Sequence, residues 1–363
     1  MSWSEILNHK PAYERFKRSV ENNRLASTYL FVGPAGVGKR TFALKLAEAL
    51  LCETNPESGL DPCGNCAACQ QVRAQSHPDL ILVSKPKDKA FIPVETFIGD
   101  REHRRREGLC HDIGLKPFRG GRKIAIIDDA DFLNQESANS LLKTLEEPPP
   151  KSVLILIGTS EHRQLSTIVS RSQVVRFGRL SNDELKQILT QNQLIESDVP
   201  LENLALAAGG SVELASQLAD AETLEFRKTL FDQLATLDPG SGDFGKSVLA
   251  FVDSAGKDAA VKRRRLSLVC DFTIAFYRQS IQAMCLGEPT GDPGLDESAG
   301  QLAARFADNS SHGAEIASLC IQRTMDLQRQ VAANVNQANA VMAWLIDLGR
   351  LGRSERVTSV ESW

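Results

Sequence analysis

Short apolar runs alternate with amphipathic stretches through the first half of the chain. Thr28–Val32, Leu80–Val83, Lys123–Ile127, Val153–Ile157 and Gln173–Phe177 are compact and largely apolar, as strands buried on both faces are. Between them, helical spacing over Arg40–Leu51, Val94–Glu107 and Gln135–Leu145 predicts crossover helices, and hence a parallel sheet with helices on its faces. From Ser181 the strand signal disappears and apolar residues recur at helical spacing, as in Asp183–Leu189. Gly209-Gly210 and Asp238-Pro239-Gly240-Ser241-Gly242-Asp243 break the helical pattern. The expected organisation is therefore an α/β domain over 1–178, a small helical domain over 179–237 and a final all-helical domain over 238–363. In the last of these, Leu266, Leu268, Phe272, Ile274 and Phe276 are expected core residues.

Composition excludes several classes. A chain of 363 residues at 42% hydrophobic and 24% charged residues can build well-packed cores and is not disordered. A net charge of -4 argues against a nucleic-acid footprint over the whole molecule, leaving room for a local patch. Two basic runs, Arg101-Glu102-His103-Arg104-Arg105-Arg106-Glu107 and Lys262-Arg263-Arg264-Arg265, lack interleaved aromatics and read first as solvated faces. The start, Met1-Ser2-Trp3-Ser4-Glu5, shows no basic segment followed by an apolar run, and no apolar stretch is long enough to span a bilayer. A cytoplasmic protein without a membrane partner is the expectation.

Cysteine spacing carries the first specific chemistry. Cys63, Cys66 and Cys69 form a Cys-x2-Cys-x2-Cys run with Cys52 upstream, four thiolates close enough to surround one ion. Tetrahedral sulfur coordination is what structural zinc prefers, and it leaves no open position for catalysis. Asp61-Pro62 and Gly64-Asn65 are turn formers suited to folding the short steps back on one centre. Cys110, Cys270, Cys285 and Cys320 are scattered and are expected to be small buried hydrophobes.

A second pattern follows the first strand: Gly33-Pro34-Ala35-Gly36-Val37-Gly38-Lys39-Arg40-Thr41 opens a helix, as a phosphate loop does. Gly33, Gly36 and Gly38 would let backbone N–H groups converge on phosphate oxygens, and Lys39 would reach the terminal phosphates. The position that holds a magnesium-binding hydroxyl in such loops is Arg40, and Thr41 comes one residue late, turned about 100° around the helix. Hydrolysis, and with it an ATP/Mg2+ cofactor, is thereby put in doubt. The strand Lys123–Ile127 runs into Asp128 and Asp129. There Asp128 would help hold magnesium, and Asp129 stands where a longer Glu would orient the attacking water.

Two further stretches, Ala138-Asn139-Ser140-Leu141-Leu142-Lys143-Thr144-Leu145-Glu146-Glu147-Pro148-Pro149 and Ser166-Thr167-Ile168-Val169-Ser170-Arg171-Ser172, complete the set. With the cysteine knuckle after the phosphate-loop helix, the motifs resemble the bacterial sliding-clamp loader, a branch of the AAA+ family. The resemblance covers roughly the first 215 residues. It implies a P-loop sheet domain with an inserted zinc module at 52–69, a helical lid domain and a carboxyl-terminal collar domain that assembles the ring. It also implies a sensor position at Thr159 and an arginine finger, Arg171, acting on the nucleotide of a neighbouring subunit. The implied partners are gamma/tau-type motor subunits, the delta subunit, the sliding clamp and, through the complex, primer-template DNA. Arg40, Asp129 and the arginine-free Gly210-Ser211-Val212-Glu213-Leu214-Ala215 depart together from the motor pattern. They favour a non-motor subunit over two rivals, an ATP-hydrolysing motor of the same complex and a zinc-containing nucleic-acid-binding regulator.

Overall fold

The computed structural model describes residues 3, 6, 9–86, 89, 91–104, 106–118, 121–195, 200–236, 239–240, 243–285, 287, 289–309, 312–332 and 335–353. Arg105 of the first basic run and Asp238, Ser241 and Gly242 of the expected interdomain break lie outside these residues. The chain divides into two units: one comprises 1–192 with 209–214, the other 193–208 with 215–363.

The first unit is built on a five-stranded sheet in the order β2-β3-β4-β1-β5, with β1 Thr28–Val32, β2 Leu80–Val83, β3 Lys123–Ile127, β4 Ser152–Gly158 and β5 Gln173–Arg176. All its pairings are parallel, as the alternation of strand and helix predicts, with Tyr29 opposite both Ile155 and Gln173. β1, β3 and β4 are buried along their whole length, which is why they read as unbroken apolar runs.

Helices α1 (Lys10–Glu21), α2 (Lys39–Leu51) and α3 (Ala67–Arg73) pack Phe16, Phe42, Leu46 and Val72 against Tyr29, Phe31, Ile124 and Ile155. The opposite face carries α4 (Glu95–Ile98), α5 (Leu109–Asp112), α6 (Gln135–Glu146) and α7 (Ser166–Val169), which bring Phe97, Leu109, Leu141 and Ile168 onto Leu30, Ala125 and Leu154. The helix expected over Val94–Glu107 is not formed. α4 ends after one turn because Gly99 takes φ +78°, the chain bends through exposed residues 101–104, and α5 starts only after Gly108 at φ +92°. Helix α8 (Asn182–Gln191) closes the first continuous segment behind a Ser181/Glu184 capping box.

The second unit is helical throughout its described residues, as expected: α9 (Leu201–Ala208), the end of α10 (Val212–Leu218), α11 (Ala221–Leu234), α12 (Phe244–Ser254), α13 (Ala259–Cys285), α14 (Pro293–Asn309), α15 (Gly313–Ala332) and α16 (Gln337–Gly352). Leu266, Leu268, Phe272, Ile274 and Phe276 of α13 are buried, as is Trp344 of α16, whose Nε1 donates to Thr324 Oγ1 at 3.1 Å. Arg227 is buried in an ion pair with Asp292 and lies over the Phe231 ring. Lys262 and Arg265 of the second basic run are engaged by Asp253 and by Asp220 and Thr223. Cys270 and Cys320 are buried and Cys110 partly so, whereas Cys285, at the carboxyl end of α13, is exposed and departs from the expected buried role. Among the described residues, no helix is long and apolar enough to cross a membrane.

Candidate functional site

The cysteine cluster forms where α2 stops and α3 begins. Cys52 caps the end of α2, and Cys66 is the N-cap of α3, its sulfur accepting the Cys69 amide at 3.5 Å. Gly64, at φ +76°, and Leu60, at φ +48°, turn the chain between them, so that the sulfurs of Cys52, Cys63, Cys66 and Cys69 all lie within 4.8 Å of one another. Four thiolates arranged tetrahedrally at zinc–sulfur distances stand about 3.8 Å apart, so the cluster fits a metal ion. Amides also point at the sulfurs: Asn55 and Cys63 donate to Cys52 at 3.4 Å, and Cys66 donates to Cys63 at 3.3 Å. The amides of Asn65 and Cys66, with the Thr54 hydroxyl, bring the Cys63 thiol down to about 6, while burial pushes that of Cys69 up. Glu48 of α2, buried between Lys45 and Arg73, braces α3 from below.

The glycine-rich loop joins β1 to α2 at the point where the chain order reverses. The helix after β1 lies on one face of the sheet and the helices after β3 and β4 lie on the other, so the ends of β1 and β4 flank the crevice in which α/β sheets bind ligands. A cleft of about 570 Å³ lies there, lined by Val32, Gly33, Thr159, Glu161, Arg176 and Phe177 among others.

Within the loop, Gly36 (φ +73°) and Gly38 (φ +95°) supply backbone that side-chain-bearing residues avoid. A Cβ on Gly36 would lie 2.4 Å from Ser211 Oγ, because segment 209–214 covers the loop and the Val212 amide donates to the Gly36 carbonyl at 3.0 Å. Buried His9 donates from Nε2 to the Val37 carbonyl at 2.7 Å, a contact with no motif to announce it.

The two cations of the loop are engaged by the chain itself. Lys39 is buried, and its Nζ donates to the carbonyls of Gly33 and Pro34, each at 2.6 Å. Burial pushes its ammonium below the usual lysine range, against the pull of Asp131, Asp128 and Glu213. Arg40 donates from Nη1 to Asp128 Oδ2 at 3.0 Å and from Nη2 to Gln75 Oε1 at 3.4 Å. The guanidinium therefore bridges the loop and the end of β3, at the carboxylate from which a magnesium ligand was expected. Thr41 faces solvent.

Asp129 adopts left-handed backbone at φ +58°, and its carboxylate accepts the Lys85 amide beyond β2 at 3.3 Å. Burial, and then the charge of Asp128, hold its carboxyl above the ordinary range. Thr159, at the end of β4, donates its hydroxyl to Asp131 Oδ2 at 2.5 Å, and its amide lies 3.0 Å from the same oxygen. Gln164 Nε2 reaches the other oxygen of Asp131. Asp131 is thus the hub that fixes Thr159, and sequence spacing alone did not single it out.

Arg171 stands apart from the loop, after α7, where Nε and Nη2 donate to Glu146 Oε1 at 2.9 and 2.6 Å. The site residues expected from sequence fall into three groups: the four cysteines, the loop cations with Asp128 and the neighbouring Asp129 and Thr159, and Arg171, which the structure pairs with Glu146.

Comparison with known proteins gives these groups a context. A family described as DNA polymerase III, delta subunit, matches residues 8–181. The chain is 32% identical over 230 residues to DNA polymerase III subunit delta' of Bacillus subtilis, covering 63% of this chain and 64% of that protein. It is 30% identical over 244 residues to subunit delta' of Escherichia coli, covering 67% and 69%. It is also 30% identical over 223 residues to subunit tau/gamma of Haemophilus influenzae, covering 60% of this chain but 30% of that longer protein. The matched stretch thus spans less than two thirds of the Bacillus and Haemophilus relatives.

Proposed function

Because the chain belongs to the DNA polymerase III delta' family, we propose that it is a non-motor subunit of a clamp loader, the assembly that uses ATP to place a sliding clamp on primed DNA during replication. Its partners in this reading are gamma/tau-type motor subunits and delta in a hetero-oligomeric ring, the clamp, and primer-template DNA held by the whole complex. Residues 179–237 serve as the lid domain and 238–363 as the collar domain that joins the ring.

The observation that carries the non-motor assignment is the Arg40–Asp128 ion pair. A magnesium nucleotide needs a hydroxyl ligand after the loop lysine and a carboxylate open to the ion or its water. Here the first is replaced by a guanidinium and the second is bound to it. The loop residues Gly33, Gly36, Gly38, Lys39, Arg40 and Thr41, with Asp128 and Asp129, do not fit a magnesium nucleotide, and no hydrolytic step is assigned to this chain. Thr159, its hydroxyl committed to Asp131, serves as a structural tie between β4 and the end of β3.

Arg171 is assigned the role of a finger acting in trans. A planar guanidinium matches the charge developing on a γ-phosphate, and here it would serve the nucleotide of an adjacent motor subunit. Cys52, Cys63, Cys66 and Cys69 would hold structural zinc, which supplies a cross-link between α2 and α3 and takes no part in the reaction.

The test is ATP turnover by the purified chain, alone and reconstituted with the motor and delta subunits, comparing wild type with Arg171→Ala. Expected are no turnover alone and a loss of roughly 10³-fold at the dependent site in the variant complex. Robust turnover by the isolated chain would make it a motor and overturn the assignment.

A further inference from the structure

We propose that Glu146 is the positioning residue for Arg171, holding the guanidinium in register for the neighbouring subunit's nucleotide; this rests on the reading of Arg171 as a finger. Both Nε and Nη2 of Arg171 donate to the single oxygen Oε1 of Glu146, while Nη1 donates to the Thr167 carbonyl at 3.1 Å and to Ser170 Oγ at 3.2 Å. Three nitrogens on one planar group are therefore fixed from two sides. A guanidinium carries five N–H groups and four are engaged here, so one N–H, on Nη2, remains for an anion arriving from solvent. The side chain is one third exposed, so part of it stays open to solvent.

The sequence places this acceptor with little freedom. Pro148 disfavours helical backbone at Glu147, which takes φ -123° and ψ 69°, so α6 ends at Glu146. Leu145, directly before Glu146, and Ile168, on the single turn preceding Arg171, are buried in the same apolar cluster. Carboxylate and guanidinium thus project from adjoining points of one packed core. A free surface arginine would lose rotamer freedom on meeting a phosphate, whereas this one has lost most of it beforehand. The carboxylate also offsets part of the positive charge, so what Glu146 contributes is geometry, supplied by an oxygen acceptor rather than by its charge.

The experiment uses the reconstituted complex and steady-state ATP kinetics for wild type, Glu146→Ala, Glu146→Gln and Arg171→Ala, with assembly checked by size-exclusion chromatography. Glu146 is half exposed, so neither of its substitutions opens the core. The expected result is a kcat roughly tenfold lower for Glu146→Ala with KM little changed, as for a misplaced catalytic group. Glu146→Gln, which keeps the acceptor oxygen, should hold turnover near wild type, and Arg171→Ala should fall furthest. Wild-type kcat in Glu146→Ala, or a Glu146→Gln loss equal to that of Glu146→Ala, alongside a collapsed Arg171→Ala would overturn the positioning role and leave the finger standing. Wild-type kcat in Arg171→Ala would overturn the finger and the positioning role together.

Discussion

Removing the metal from the cysteine cluster, by chelation or by Cys69→Ser, should loosen residues 52–73 while the sheet stays folded. Besides the metal, the module is tied to the rest of the domain by the Arg73–Glu48 and Arg122–Glu57 ion pairs and by a small apolar contribution. α3 has only 7 residues, too short to persist alone, and its link to α2 passes through irregular chain. Its largest apolar contributions are Leu60, with no exposed surface, and Val72, at 2% exposure, both packed into the cluster under β1 and β4. Releasing both side chains to water costs roughly 1.5–3 kcal/mol each, so the stability at stake is on the order of 3–6 kcal/mol. For a domain of this size, that is a fall in Tm on the order of 10 °C. Hydrogen-exchange mass spectrometry, paired with metal analysis, should find one zinc per chain in the native protein and fast exchange confined to 52–73 once it is removed. The Trp3 indole, which donates to the Leu60 carbonyl at 2.6 Å, gives a fluorescence report on the same event. Verified metal-free protein that keeps its Tm and its protection over 52–73 would refute the reasoning.

Asp129→Asn should stabilise the protein at neutral pH by on the order of 1–3 °C, because asparagine tolerates left-handed backbone and carries no charge against Asp128. Asp129 keeps its proton to higher pH in the native state than in the unfolded chain, so wild-type stability declines as pH rises from the ordinary carboxylate value through the raised one. The gain should therefore be full above that window and fade below it; equal melting curves for both proteins at pH 7 and pH 3 would contradict this account. Asp131→Ala strands the Thr159 amide and hydroxyl and the Gln164 amide, and urea unfolding should register a loss of about 1–3 kcal/mol, with an unchanged midpoint counting against the hub.

β1, β3 and β4 were legible because burial on both faces forces continuous apolar runs, and α2 and α6 because no glycine or proline interrupts them. The segment from Val94 to Glu107 misled because its composition favours helix while Gly99 and Gly108 impose positive φ, a local veto that periodicity does not register. In the site, the cysteines announced themselves through close spacing, and Arg40 announced a missing hydroxyl. Asp128 was legible as the loop's acidic partner, but not as the ion-pair partner of Arg40, from which it lies 88 residues away. Equally illegible were the pairings of Asp131 with Thr159 and of Glu146 with Arg171, separated by 28 and 25 residues and joined by adjacent strand and helix ends. His9 was invisible for a different reason: a lone histidine hydrogen-bonding a loop carbonyl has no pattern to betray it.

A metal ion beside a carboxylate comes and goes with its concentration and with the nucleotide that carries it. The guanidinium of Arg40 is covalently part of the chain, so the positive charge beside Asp128 needs no bound ion or nucleotide to supply it. The loop and the end of β3 are thereby tied by a contact that requires no nucleotide. In the clamp-loader ring proposed above, such a unit would offer its nucleotide-binding neighbours a contact that stays the same whether or not they hold ATP.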